Sequence, residues 1–262
     1  MSTIDTAYAL PQAGPLPAYT PALGIGNKPG PWGFWGSLGW GFFAIATGIF
    51  SVVLFVIGWM LTHGLRTVNF DDQVFAELSG IVILTAPLAV LAMAVKLRKF
   101  PLRNYFALNG FTHRHLVLGV ASLVGLIVAF DAMEWLLGID AGSKHVLETY
   151  RAAKAAGVLP LLWLSVVVVA PVTEELFFRG FLHRGWALSW LGVSGTVVLT
   201  SALWALLHQQ YNAFGIVFIF VMGLVLGCMR QRSHSTLLPM VLHTINNLIA
   251  TVAVTIQVEW LS

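Results

Sequence analysis

Charge is scarce in this chain. Only 10% of its 262 residues are Asp, Glu, Lys or Arg, against 58% apolar residues and a mean hydropathy of +0.83. Soluble domains carry roughly a quarter charged residues, so an aqueous globular fold is excluded and an integral membrane protein is expected. The net charge of +3 is no nucleic-acid signal, because the basic residues gather in loops beside apolar runs, as the positive-inside rule requires. Cysteine is nearly absent. Cys228 alone rules out an internal disulfide and any multi-cysteine metal site, and its apolar setting predicts a packed thiol rather than a nucleophile. There is no His-Glu-x-x-His, so a zincin site of the usual helical form is missing. No basic segment runs into a short apolar core at the start, so no classical signal peptide is expected. Nor is there an internal repeat, which counts against a transporter built from repeats.

What the chain has is long apolar runs, and these predict an all-α polytopic helical bundle of about seven spans. Residues 1–31 are rich in Pro, Ala and Gly and read as a flexible tail. Residues 32–157 read as N-terminal transmembrane helices. Trp32 to Trp40 is an aromatic interfacial anchor leading into a span from about Gly39 to Leu61, and the loop after it holds Arg66, Asp71, Asp72 and Glu77. A second span covers about Leu78 to Val95, with Pro87 a kink site. The loop with Lys96, Arg98, Lys99, Arg103 and Arg114 has no acid between them and is the chain's strongest orientation signal. It places the N-terminus in the cytoplasm, and a bacterial plasma membrane is the expected location. A third span, about Leu116 to Leu137, carries Asp131 and Glu134, which mark either a polar cavity or the span's outer end. A polar, amphipathic connection follows over 138–156.

Residues 158–258 hold the chemistry. The fourth span, about Val158 to Leu182, runs without charge through Leu161 to Ala170 and then meets Pro171-Val172-Thr173-Glu174-Glu175 and Arg179. Ionisable groups at such a depth cost a few kcal/mol each on insertion scales, so they mark a functional site. Glu175 and Arg179 share a helix face in the favourable order for an ion pair. Glu174, roughly 100° further round, has no such local partner and is available for chemistry. Trp186 to Trp190 reads as interfacial. The fifth span, about Val193 to His208, sets Trp204 and His208 four apart. The sixth, about Phe214 to Met229, ends at Arg230 and Arg232. The seventh, about Leu237 to Val258, sets His243 and Asn247 four apart. Carboxylates, imidazoles and a carboxamide from three spans are the groups that hydrolysis needs. A carboxylate takes a proton from water and an imidazole holds that water or returns the proton, while an imidazole and an amide N–H stabilise an oxyanion. The same residues could instead ligate zinc.

Glu174-Glu175-x-x-x-Arg179, then Trp204-x-x-x-His208, then His243-x-x-x-Asn247, in that order on successive spans, resembles the CPBP family of CAAX prenyl endopeptidases and Abi, or bacteriocin-processing, proteins. The resemblance covers about residues 158–250. The family's second motif commonly has Phe where this chain has Trp204. The resemblance implies that Glu174 and His208 activate water and that His243 and Asn247 form the oxyanion site, with Glu175, Arg179 and Trp204 in support. It implies a peptide or prenylated-protein substrate met at the lipid bilayer, and leaves a glutamate mechanism or a zinc-dependent one open, the glutamate one being preferred.

Two rival readings compete with it. Gly192-Val193-Ser194-Gly195 fits the GxSG pattern of rhomboid serine proteases, with His243 as base, although Ser194 near a helix start explains the same residues. The alternative reading takes the polar cluster as a proton or ion pathway, or as part of a non-catalytic scaffold. One tension remains within the favoured reading: simple span counting puts Glu174 in the inner part of its span and His208 near the outer end of the next.

Overall fold

A computed structural model describes residues 31–64, 72–139 and 143–261. The tail assigned to 1–31 and the loop residues Arg66 and Asp71 lie outside the described residues, apart from Pro31. From Pro31 on, the chain forms one compact unit. It is helical: α1 (Phe34–His63), α2 (Gln73–Leu97), a single turn α3 (Leu102–Tyr105), α4 (His113–Leu137), α5 (Ser143–Ala155), α6 (Leu159–Trp186), α7 (Gly192–Leu206), α8 (Ala213–Ser233) and α9 (Leu237–Trp260). Six of these, all but α3, α5 and α7, are long and apolar enough to cross a membrane, and α7 is a shorter apolar helix. The chain is therefore an integral membrane protein with a polytopic helical fold. Its outer faces agree, with Phe42, Phe50, Val128 and Val217 exposed on three of the helices.

Helix starts follow the expected chemistry. Asp72 accepts from the backbone N–H groups of Val74 and Phe75, and Asn212 from Gly215, satisfying donors that an apolar helix start would orphan. Pro87 sits inside α2, where it can give no N–H to the carbonyl of Ile83. Gly48 of α1 lies over that spot, so a Cβ there would come 2.8 Å from the Ile83 oxygen.

Hydrogen bonds tie the helix ends into two opposite faces. At one, the Trp32 indole donates to Ala94 O at 3.0 Å and lies under the Arg98 guanidinium, while Trp186 donates to Phe34 O. The chain after α3 joins the start of α9 through Thr236 N and Ala107 O. At the other, Lys154 of α5 pairs with Glu259 of α9 at 2.7 Å, and Phe130 packs on Phe214.

Several expectations change. Trp186 is buried as the last residue of α6 rather than lying at the interface, although Trp190 is exposed. Cys228 is exposed on α8, on a lipid-facing stripe rather than in the packed interior. Glu77 belongs to α2 rather than to the preceding loop, and bonds there to the Ser165 hydroxyl. Asp131 is exposed and Glu134 half-buried in the last two turns of α4, which places them at the end of that span.

Candidate active site

The site is built on α6, and α6 is not a uniform α-helix. Its segments Leu164–Val169 and Leu176–Leu182 are in the π register, either side of the α-helical Ala170–Glu175. Such wide turns occur often at functional sites. Here a cause is visible in the sequence. In the π register a carbonyl bonds the N–H five residues on, as Ser165 O does with Ala170 N. The partner of Val166 O would be Pro171, which has no N–H. That carbonyl takes a bond from Asn247 Nδ2 of α9 instead, at 2.8 Å. The proline in the motif thus prepares the acceptor that holds the asparagine.

One turn below, Glu175 and Arg179 are wholly buried and paired, Arg179 donating to Glu175 Oε1 at 2.9 Å. The other guanidinium nitrogen donates to Gly223 O of α8 at 3.2 Å, and the group stacks 4.7 Å above the Trp204 ring. His243 Nδ1 lies 3.1 Å from the same Glu175 oxygen. Since a carboxylate accepts, Nδ1 carries the proton in this bond and Nε2 is left for the site. The close approach of α7 and α8 depends on small residues: a Cβ on Gly223 would meet Ser201 at 2.8 Å, and one on Gly227 would meet Val197 at 2.8 Å.

Trp204 connects the rest. Its indole N–H donates to Glu174 Oε2 at 2.5 Å. Its carbonyl oxygen lies 2.8 Å from His208 Nδ1, so that nitrogen is the donor and His208 Nε2 bears the lone pair. Its ring meets the rings of His208 and His243 edge-on, with centroids 5.1 and 5.2 Å away. Glu174, Glu175, Arg179, Trp204, His208 and His243 therefore form one cluster. Asn247 stands one turn beyond His243 and is tied to α6 about two turns from Glu174, at the cluster's edge. Glu174, His208 and His243 each have one polar atom fixed to the scaffold and another left over for a reactant. Asn247 donates through Nδ2 to Val166 O and accepts through Oδ1 from Asn246, which leaves its second amide N–H.

The conflict in depth between Glu174 and His208 resolves in the helix lengths. α6 continues to Trp186 and α7 starts at Gly192. Glu174 and Trp204 are each twelve residues from that turn, about 18 Å at the α-helical rise. They therefore lie at matching depth, and Glu174 is near the middle of its span and not its inner part. Ser194 is exposed in the first turn of α7. It lies ten residues, or about 15 Å, from the Trp204 level at which His243 stands, so the serine-base pairing of the rhomboid reading does not form.

One residue near the cluster carried no signal in the sequence beyond its polar turn. The Tyr211 ring lies 6.4 Å from that of His208 and 6.4 Å from that of His145. Burial raises its phenol above the ordinary value, and the nearby negative charge of Glu174 raises it further. Among the described residues no three His, Cys, Asp or Glu side chains converge as metal ligands would.

Comparison with known proteins finds a similar family over the segment that carries the cluster. Residues 156–249 match the family model described as type II CAAX prenyl endopeptidase Rce1-like. All seven residues of the three motifs fall within that segment, which bears out the family resemblance there. The chain is also 31% identical over 134 residues to an uncharacterised 24.3 kDa protein of Escherichia coli, an alignment covering 48% of this chain and 60% of that protein. The chain thus spans less than two thirds of that relative's length. No solved structure matches the chain.

Proposed function

We propose that this protein is an intramembrane endopeptidase that hydrolyses peptide bonds of membrane-associated substrates with water activated by Glu174. The Rce1-like family is one of CAAX-type intramembrane proteases, and what supports the finer reading is the position of Trp204. It holds Glu174 through its N–H, His208 through its carbonyl and His243 through its ring edge, so polar groups from three helices face one space.

In the proposed reaction the free oxygen of Glu174 takes a proton from water as the water attacks the substrate carbonyl. His208 Nε2, held in the acceptor tautomer, orients that water, then takes up the proton collected by Glu174 and delivers it to the leaving amine. The oxyanion is met by Asn247, whose amide has a second N–H beyond the one given to Val166, and by His243. Because His243 Nδ1–H is already committed to Glu175, donation from Nε2 requires the imidazolium form, and the Glu175 carboxylate is placed to balance that charge. Arg179 then offsets the burial of Glu175 whenever His243 is neutral. No step needs a metal, and the proposal extends to a cytoplasmic N-terminus in a bacterial plasma membrane.

The test uses purified protein in detergent with quenched peptides, farnesylated CAAX peptides among them, with and without a chelator. Glu174→Gln keeps an acceptor for the Trp204 N–H but cannot act as base, and is expected to lower cleavage at least a hundredfold. Wild-type cleavage by folded Glu174→Gln protein would refute the assignment. Loss of wild-type cleavage with chelator would replace the glutamate mechanism with a metal one.

A further inference from the structure

The cluster is sealed on one side and open on the other. Towards the end of the bundle that holds the α2–α4 loop, it is backed by Glu175, Arg179, Phe181 and Trp186, all fully buried, and by Tyr105 and Leu238, which are fully buried too. Towards the opposite end the same cluster loosens. Glu174, His208, Tyr211 and Asn247 are half-buried, and the turn after α7 presents exposed Gln209, Gln210 and Asn212. Among the described residues, the approach to Glu174 is from that turn or sideways from the bilayer at its level.

The two ends differ in charge. The sealed end carries Lys96, Arg98, Lys99 and Arg103 in one loop, with Arg184 and Arg232 at neighbouring helix ends. The open end, among the described residues, carries Lys144, Arg151 and Lys154 on α5, offset by Glu148, Glu259, Glu134 and Asp131. Lys and Arg near the ends of short loops set the cytoplasmic side. Joined to the direction of access, this puts the opening on the side away from the cytoplasm.

We propose that the site opens on the extracytoplasmic side, and that its substrates are peptide segments at the outer surface of the membrane rather than prenylated proteins on the cytoplasmic leaflet. The substrate part rests on the peptidase reading; the direction of opening does not. A substrate here would be a segment emerging from an apolar span or anchor on the outer side, entering beside the 208–212 turn as an extended chain, with its scissile carbonyl reaching down to the level of Trp204.

Cysteine accessibility tests the direction independently of activity. Cys228 is first replaced (Cys228→Ser), and single Gln210→Cys and Arg232→Cys variants are expressed in bacterial cells and treated with a membrane-impermeant maleimide. The expected result is full labelling of Gln210→Cys in intact cells and labelling of Arg232→Cys only after lysis. The reverse pattern overturns the proposal while leaving the peptidase reading intact. Vesicles of known orientation then receive peptides on one side at a time. Cleavage confined to the side that labels Gln210→Cys supports the substrate assignment. Outward labelling with no cleavage of any outer-surface peptide overturns it together with the peptidase reading.

Discussion

Hydroxyls bond back to their own helix in both halves of the membrane domain, but the second half adds charged and amide side chains bonded across helices. In α1, α2 and α4, hydroxyls bond back to their own helix: Thr47 to Phe43 O, Ser51 to Thr47 O, Thr85 to Ile81 O and Ser122 to Leu118 O, at 2.7–2.8 Å. From α6 to α9 the decisive bonds run between helices. Trp204 reaches Glu174, Arg179 reaches Gly223 O, Arg230 reaches Arg179 O, Asn247 reaches Val166 O, and His243 meets Glu175. A hydroxyl bonded within its own helix costs nothing in lipid and specifies no neighbour. A carboxylate or guanidinium bonded across helices is costly unless the partner is in place, so it fixes which helix sits where. The first half is held chiefly by packing, the second by packing and by a polar network with few alternatives.

The largest consequence falls on Glu175. Its replacement by Ala leaves the Arg179 guanidinium buried with Gly223 O as its remaining hydrogen-bond acceptor, and removing one partner of a buried pair costs about 3–5 kcal/mol. Denaturant titration of purified protein should show that loss, and a Glu175→Met/Arg179→Met double variant should recover much of it. A double variant no better than Glu175→Ala would mean that the pair stabilises the bundle beyond its mutual compensation. Glycines give a smaller contrast. Gly223→Ala drives a methyl into Ser201 and should cost about 1–3 kcal/mol by overpacking. Gly58 of α1 has open space around its would-be Cβ, so Gly58→Ala should be neutral or stabilise by up to about 1 kcal/mol through helix propensity. Equal effects of the two in the same titration would erase the distinction between the halves.

Much of this was legible in the sequence. Apolar runs located the helices to within a few residues, because in lipid the backbone has almost no other way to satisfy itself. The i,i+4 spacings placed Glu175 with Arg179 and Trp204 with His208, since helix geometry alone decides those. What was not legible depends on register and neighbours. The π turns of α6 shift every later side chain, and nothing in the residues before Pro171 announces them, although a proline five residues after Val166 was a usable sign that its carbonyl needed an outside donor. Cys228 was misplaced because an apolar span does not reveal which of its faces meets lipid. Its neighbour Gly227 touches Val197 and Cys228 turns away. Tyr211 was missed because its proximity to Glu174 is made by the short α7 and not by any spacing in the chain.

Two tyrosines extend the comparison to titration, with the smallest expected effect. Tyr105, beside the basic loop, is pushed up to about 12, by burial first, although Arg184 and Arg98 pull the other way. Tyr211, at the open end, is raised by burial and then by Glu174. A phenol raised in the folded state favours its neutral form there. Each tyrosine therefore adds stability that is fully present below the ordinary value near 10 and is lost as pH rises through the folded value. Glu174→Gln removes one cause at Tyr211 and none at Tyr105. Phenolate absorbance, with Tyr211→Phe and Tyr105→Phe assigning the two residues, should show Tyr211 ionising at lower pH in Glu174→Gln than in wild type, and Tyr105 unmoved. If Tyr211 does not move, then Glu174 is screened from it by water, and the space between them is wider and wetter than the half-buried rings imply. If Tyr105 moves as well, the sealed end responds to a charge change at the open one, and the two ends are not electrostatically separate.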